Sequence, residues 1–175
     1  MATTEITTGE RADLLQSLAK HRHFLRYTVR DLTDEQAALR PTVSELSLGG
    51  LIKHVTDTER QWVDFIQRGS VAMSTGADGQ AWTMEDWLGN FRMAPDDTLD
   101  GLLAKYQAVA DRTDALVREL PDLDISHPLP EAPWYEPGAS WSARRVLLHV
   151  IAETAQHAGH ADILRESIDG AKTMG

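Results

Sequence analysis

The sequence predicts an all-α fold, a four-helix bundle, on three observations. Four long segments carry apolar residues at steps of three and four. No segment alternates apolar and polar residues with a period of two. The connections are rich in proline, glycine and polar residues, with five of the seven prolines in 121–140. Amphipathic helices must bury their stripes against one another, and a bundle does this within one domain.

The first helix is predicted over 8–32, with Leu14, Leu18, Leu25 and Leu32 on one stripe. His21 falls on that stripe and reads as a core histidine, whereas His23 and His127 read as exposed or in loops. Thr33 and Gln36 then fit a capping box for a short turn ended near Pro41.

The second helix is predicted over 47–67, opened by S47-L-G-G50 and closed by Arg68 and Gly69. Leu48, Leu51, Ile52, Val55, Trp62 and Ile66 form its apolar face, and His54 lies at the edge of that face. A connection over 69–95 carries Trp82, Trp87 and Phe91, with a helical turn expected at M84-E-D-W-L88. Its length and aromatic content suit a packed or functional loop.

The third helix is predicted over 96–120. Pro95, Asp96 and Asp97 supply the start signal, and Pro121 the stop. Leu99, Leu102, Leu103, Tyr106, Val109, Thr113, Leu116 and Leu120 give its stripe. An irregular crossover over 121–140 follows, with Trp134 and Tyr135. Together with Trp82 and Trp87 these aromatics either line a pocket mouth or anchor the loops. The fourth helix starts at Ser140 or Ser142 and ends at about 168, before Gly170.

Length, 175 residues, suits a single domain spanning 1–175 with its core over about 9–170. A net charge of −10, with no clustered basic run, argues against nucleic acid as a partner. No apolar run is long enough for a membrane span, and no secretory signal is legible, so the cytoplasm is the expected location. There is no cysteine. Any bound metal is therefore held by nitrogen and oxygen, and any thiol chemistry uses a thiol supplied by a substrate.

The fourth helix carries the chemistry, in H149-V-I-A-E153-T-A-Q-H157-A-G-H160. His149, Glu153, His157 and His160 fall at about 0°, 40°, 80° and 20° around the helix, a single polar stripe. Val146, Ala152, Ile163 and Leu164 flank it, so it is expected to face a core. Buried imidazoles and a carboxylate need a partner, and a divalent metal is the simplest one. The bland alternative is a helix of hydrogen-bonded histidines with an exposed carboxylate. Four such groups on one arc favour the metal.

Glu153 and His157, four apart, can share an ion, with His160 a further ligand or a supporting contact. His54, on another helix, is a candidate third ligand. His149 lies about 12 Å along the axis from His157 and cannot bind the same ion. It is expected in the cavity wall or in a structural hydrogen bond. Asp57 either orients an imidazole or is a solvated acid. Arg165 and Glu166 are expected in surface pairs. No phosphate loop, dinucleotide fingerprint, nucleophile elbow or H-E-x-x-H motif occurs, and S-L-G-G is too short and ordinary for a phosphate cradle.

L46-S-L-G-G-L-I-K-H54, with the segment from S142-A-R-R-V-L-L-H149 through E153-T-A-Q-H157-A-G-H160 to G170, resembles the DinB/YfiT-like superfamily, and within it the mycothiol-transferase-like branch. The resemblance covers about 10–170. It implies an up-down-down-up four-helix bundle with a long crossover. It implies a divalent metal, commonly zinc or nickel, held by His54, His157 and a middle ligand. That position is often His in the superfamily but is Glu153 here, as in related maleylpyruvate isomerases, and His160 is the competing candidate. The implied activity is metal-dependent transfer, or isomerisation, with a low-molecular-weight thiol such as mycothiol and an electrophilic substrate. The alternative is a non-catalytic metal-binding stress-response or interaction bundle. Dimerisation is common in the superfamily, and a homodimer is the assembly it implies.

Overall fold

The computed structural model describes residues 8–73 and 89–173. Trp82, Trp87 and the expected turn at 84–88 lie outside the described residues. Helix α1 spans Glu10–Tyr27 and stops short of residue 32. A turn replaces its last predicted segment: the Thr28 hydroxyl donates to the Leu25 carbonyl at 2.7 Å, and Asp31 takes a left-handed conformation, φ 58°. Helix α2, Asp34–Ala38, carries the predicted capping box of Thr33 and Gln36. Helix α3, Leu48–Arg68, is capped by Ser47, whose side chain accepts from the Gly50 amide. A 3₁₀ turn, Gly69–Met73, follows.

Helix α4, Leu99–Glu119, begins later than residue 96 because Thr98 is its cap. The Asp97 carboxylate instead accepts from the Ala94 amide at 2.9 Å and lies 3.4 Å from Lys53 Nζ, so it closes a turn outside the helix. Helix α5, Ala143–Asp169, is capped by Ser142 and ended by left-handed Gly170 at φ 78°. The crossover holds a feature the sequence did not announce: strands β1, Ser126–Pro128, and β2, Ser140–Ser142, pair antiparallel with His127 opposite Trp141. Three-residue strands are too short for a period-two signal.

Side-chain contacts along the helices give their directions. Arg11 near the start of α1 donates to the Val117 and Leu120 carbonyls at the end of α4, while Arg26 reaches Gln107, so these helices are antiparallel. Arg144 pairs with Glu10, and Arg165 donates to the Thr28 and Arg30 carbonyls, so α1 and α5 are parallel. Lys53 pairs with Asp97 and Asp64 with Arg112, so α3 and α4 are parallel. His54 meets His157 and Trp62 meets His149, so α3 and α5 are antiparallel. The order is up, down, down, up, as expected. No described helix is long and apolar enough to cross a membrane.

The interior is two apolar clusters with a polar belt between them. One cluster joins Leu25, Leu51, Val55, Leu102, Tyr106, Ala161 and Leu164. The other joins Leu14, Leu18, Trp62, Phe65, Val117, Val146 and Leu147. Between them, on all four long helices, sit buried Arg22, Glu59, Thr113, Thr154 and His157. The Arg22 guanidinium donates to both Glu59 oxygens, at 2.5 and 3.2 Å, and to Asp114 at 2.8 Å. The Thr113 hydroxyl donates to Glu59 at 2.6 Å. Bidentate geometry and a third donor satisfy a carboxylate that is fully shielded from water.

His21 is only half-buried beside Phe24, and the buried polar residue of α1 is its neighbour Arg22. His127 is in β1 and half-buried, with Nε2 donating to the Ile66 carbonyl at 3.1 Å near the α3 C-terminus. Arg165 is buried, 5% exposed, and ties α5 to the turn after α1. Ala152 and Ile163 are exposed, so the polar stripe of α5 runs along the edge of the core.

Replacing Glu59 with Gln leaves the buried Arg22 guanidinium with only the half-buried Asp114 as a charge partner and is expected to destabilise the fold by about 3 kcal/mol. The double replacement Arg22→Met with Glu59→Leu is expected to recover most of that loss. Urea unfolding of the three proteins checks both. A Cβ on Gly50 would lie 1.8 Å from the Phe91 carbonyl oxygen. Gly50→Ala is therefore expected to destabilise by about 1–3 kcal/mol, although alanine is the better helix former. A raised urea midpoint in that variant would contradict the close approach.

Candidate metal centre

The antiparallel register of α3 and α5 brings three candidate ligands together. His54, Glu153 and His157 each offer one ligand atom, and these atoms lie within 4.8 Å of one another. The rings of His54 and His157 meet edge to face, with centroids 4.7 Å apart. Nε2 of His157 is 3.6 Å from a Glu153 oxygen. Its other ring nitrogen, Nδ1, lies 3.4 Å from Nδ1 of His160. His160 therefore stands behind His157, outside the three-residue group.

Electrostatics suit cation binding. Burial first, and the neighbouring His157 second, hold the His54 imidazole down at about 4, so it is neutral at pH 7. The neighbouring His157 ring, with Nε2 3.6 Å away, holds the Glu153 carboxyl below its usual range, so it is ionised. Two imidazoles and one carboxylate form the donor set of a divalent site with open positions. The residues present thus fit a divalent ion.

Helix α5 supplies Glu153 and His157 four residues apart, on the same face. Helix α3 supplies His54 from its second turn, at the border of its apolar face. His149 lies one turn from Glu153 on the other side, with Nε2 3.9 Å from the carboxylate. It is outside the ligand group and in the cavity wall, where burial lowers its pKa. Asp57 points to Arg60, 3.5 Å away, and does not orient His54. The group beside His54 Nδ1 is the Asn90 amide, at 3.2 Å, and the Phe91 ring lies against the imidazole at 4.2 Å. Neither contact is legible in the sequence, because a loop residue carries no periodicity.

A cavity of about 540 Å³ opens at this cluster, with His54, Glu153 and Asn90 in its wall. Trp62, Trp134, Tyr135 and Trp141 also line it, with Thr58 and Gln61 adding neutral polar groups. Trp134 and Tyr135 thus reach the pocket mouth. Trp62 and Trp141 stack at 4.7 Å and 14°, and both turn an edge toward His149. Among the described residues, no lysine or arginine lines the cavity. Arg145 lies over the Trp141 ring at 4.1 Å and is solvent-exposed.

Two solved structures share this architecture. A conserved protein from Enterococcus faecalis superposes with a TM-score of 0.70 at 12% identity, over 94% of this chain and 100% of that one. YfiT from Bacillus subtilis, described as a probable metal-dependent hydrolase with an unusual four-helix bundle topology, superposes with a TM-score of 0.64 at 18% identity, over 94% of this chain and 90% of that one. At such identities the likeness is one of fold. No curated protein matches the chain. The sequence profile of the mycothiol-S-transferase family, however, matches residues 13–170, a span that contains three of the long helices, all but the first turn of α1, the crossover and the whole His–Glu–His cluster, and on that match the chain belongs to this family.

Proposed function

We propose that this protein is a metal-dependent S-transferase that uses an uncharged low-molecular-weight thiol, mycothiol being the fitting one, in the cytoplasm. The observation that carries the reading is the His54–Glu153–His157 cluster at an aromatic cavity that no described cation lines. Mycothiol has no ionisable group apart from its thiol, and its sugar hydroxyls suit Thr58, Gln61 and aromatic edges. Thiols bearing carboxylates or phosphates would bury negative charge there without a partner, which is costly.

His54, Glu153 and His157 would hold the ion, zinc or nickel by family resemblance, and His160 would steady the His157 ring. A divalent ion at such a site lowers the pKa of a coordinating thiol and so supplies a nucleophile at neutral pH. The aromatic wall excludes water and orients the thiol and the electrophile. His149, beside Glu153 and facing the cavity, is placed to take up the thiol proton.

His157→Ala and Glu153→Ala are expected to lose bound metal to background after loading and dialysis, measured by elemental analysis. His160→Ala is expected to weaken binding only about 10–100-fold. An equal loss in all three would make His160 a ligand. With a fluorogenic electrophile and zinc-loaded protein, kcat/KM for mycothiol is expected to exceed that for glutathione or coenzyme A at least about tenfold. Tight metal binding with no turnover of any thiol would favour the non-catalytic reading.

A further inference from the structure

Segment 89–93 returns to the bundle against the first turn of α3, and two glycines make room for it. A Cβ on Gly49 would lie 2.3 Å from Sδ of Met93, and one on Gly50 would meet the Phe91 carbonyl. The Ser47 hydroxyl, which already caps the helix, donates to that carbonyl at 3.3 Å. The S-L-G-G motif is therefore a docking seat for this segment. Its outcome is local: Phe91 packs on the His54 ring, and the Asn90 amide faces Nδ1 of the same ring.

The proton on that ring decides whether it can bind a cation. A neutral imidazole has one N–H, and only the other nitrogen has a free lone pair. The structure sets Nδ2 of the Asn90 amide 3.2 Å from Nδ1; with that nitrogen donating, the ring proton sits on Nε2 and the ring has no nitrogen left to coordinate. A half-turn of the amide exchanges Nδ2 for Oδ1 in the same space. The oxygen then accepts from Nδ1–H, and Nε2 is free. Histidines that bind metals ordinarily donate from the second nitrogen in this way. Asp57, the acid nearest in sequence, is engaged by Arg60.

We propose that Asn90 is a positioning residue that accepts a hydrogen bond from His54 Nδ1–H, fixing the tautomer and ring angle that present Nε2 to a divalent cation. The S-L-G-G seat and Phe91 hold Asn90 in place for this. The proposal rests on the metal-site reading for its purpose, but the tautomer itself is a property of the metal-free protein.

The test uses the full chain with Asn90→Asp and Asn90→Leu. Aspartate can only accept and leucine can do neither, at similar volume. Zinc affinity is read by competition with a chromophoric chelator. Asn90→Leu is expected to bind about 10–100-fold more weakly, with Asn90→Asp at or above wild type. Long-range ¹H–¹⁵N spectra of the metal-free proteins at pH 7 are expected to show His54 protonated at Nδ1 in wild type and Asn90→Asp, and at Nε2 in Asn90→Leu. Weak zinc binding by both variants would mean a merely structural role and overturn the proposal. So would a His54 tautomer that is the same in all three proteins. If wild type binds no zinc, the metal-site reading fails, and the tautomer spectra still decide the role of Asn90.

Discussion

The register of α3 against α5 is the constraint on which the site depends. His54 meets His157, and eight residues further along α3 Trp62 meets His149, eight residues back along α5. A shift of one turn would pair His54 with a different residue and dismantle the cluster. Small residues at Ala158 and Ala161 let the helices approach on one side of the cluster, and Trp62 packs with Val146 and Val150 on the other. Apolar packing on both sides thus sets the spacing of groups that would not associate by themselves.

The polar belt places the site at a defined level of the bundle. Arg22, Glu59 and Thr113 satisfy one another inside, while His54, Glu153 and His157 stand at the same level where the bundle opens. A bundle with apolar residues throughout would pack as well or better, since a buried ion pair is weak support for stability. What the belt adds is alignment: Glu59 receives donors from α1 and α4 at once, which fits only one axial placement of three helices.

Much of the fold was legible because its signals are local. The Thr33–Gln36 box, the caps at Ser47 and Ser142 and the stop at Gly170 depend on residues within one turn. The apolar face of α3 was read correctly from spacing alone. The nearness of Glu153 and His157 was legible for the same reason, since the two are four apart on one helix, whereas spacing makes His54 only a candidate and its meeting with His157 depends on the packing of two helices. The Arg22–Glu59 pair, the Arg165 tether and the Asn90 contact were not legible, because each joins residues far apart in the chain. The α4 start was misplaced because Asp96 and Asp97 resemble a cap, and only the fold shows Asp97 closing a turn. In the S-L-G-G motif, adjacent glycines just inside a serine cap were the available sign of a close chain approach.

The stacked indoles of Trp62 and Trp141 have a consequence of another kind. One belongs to α3 and the other to β2 of the crossover, and their rings are nearly parallel in van der Waals range. Two such chromophores share their electronic excitation, so together they give a far-ultraviolet dichroic couplet that neither has alone. That signal exists only while the crossover lies on the bundle, and the pair borders the cavity. The protein thus contains an optical gauge of whether the wall of its own cavity is assembled.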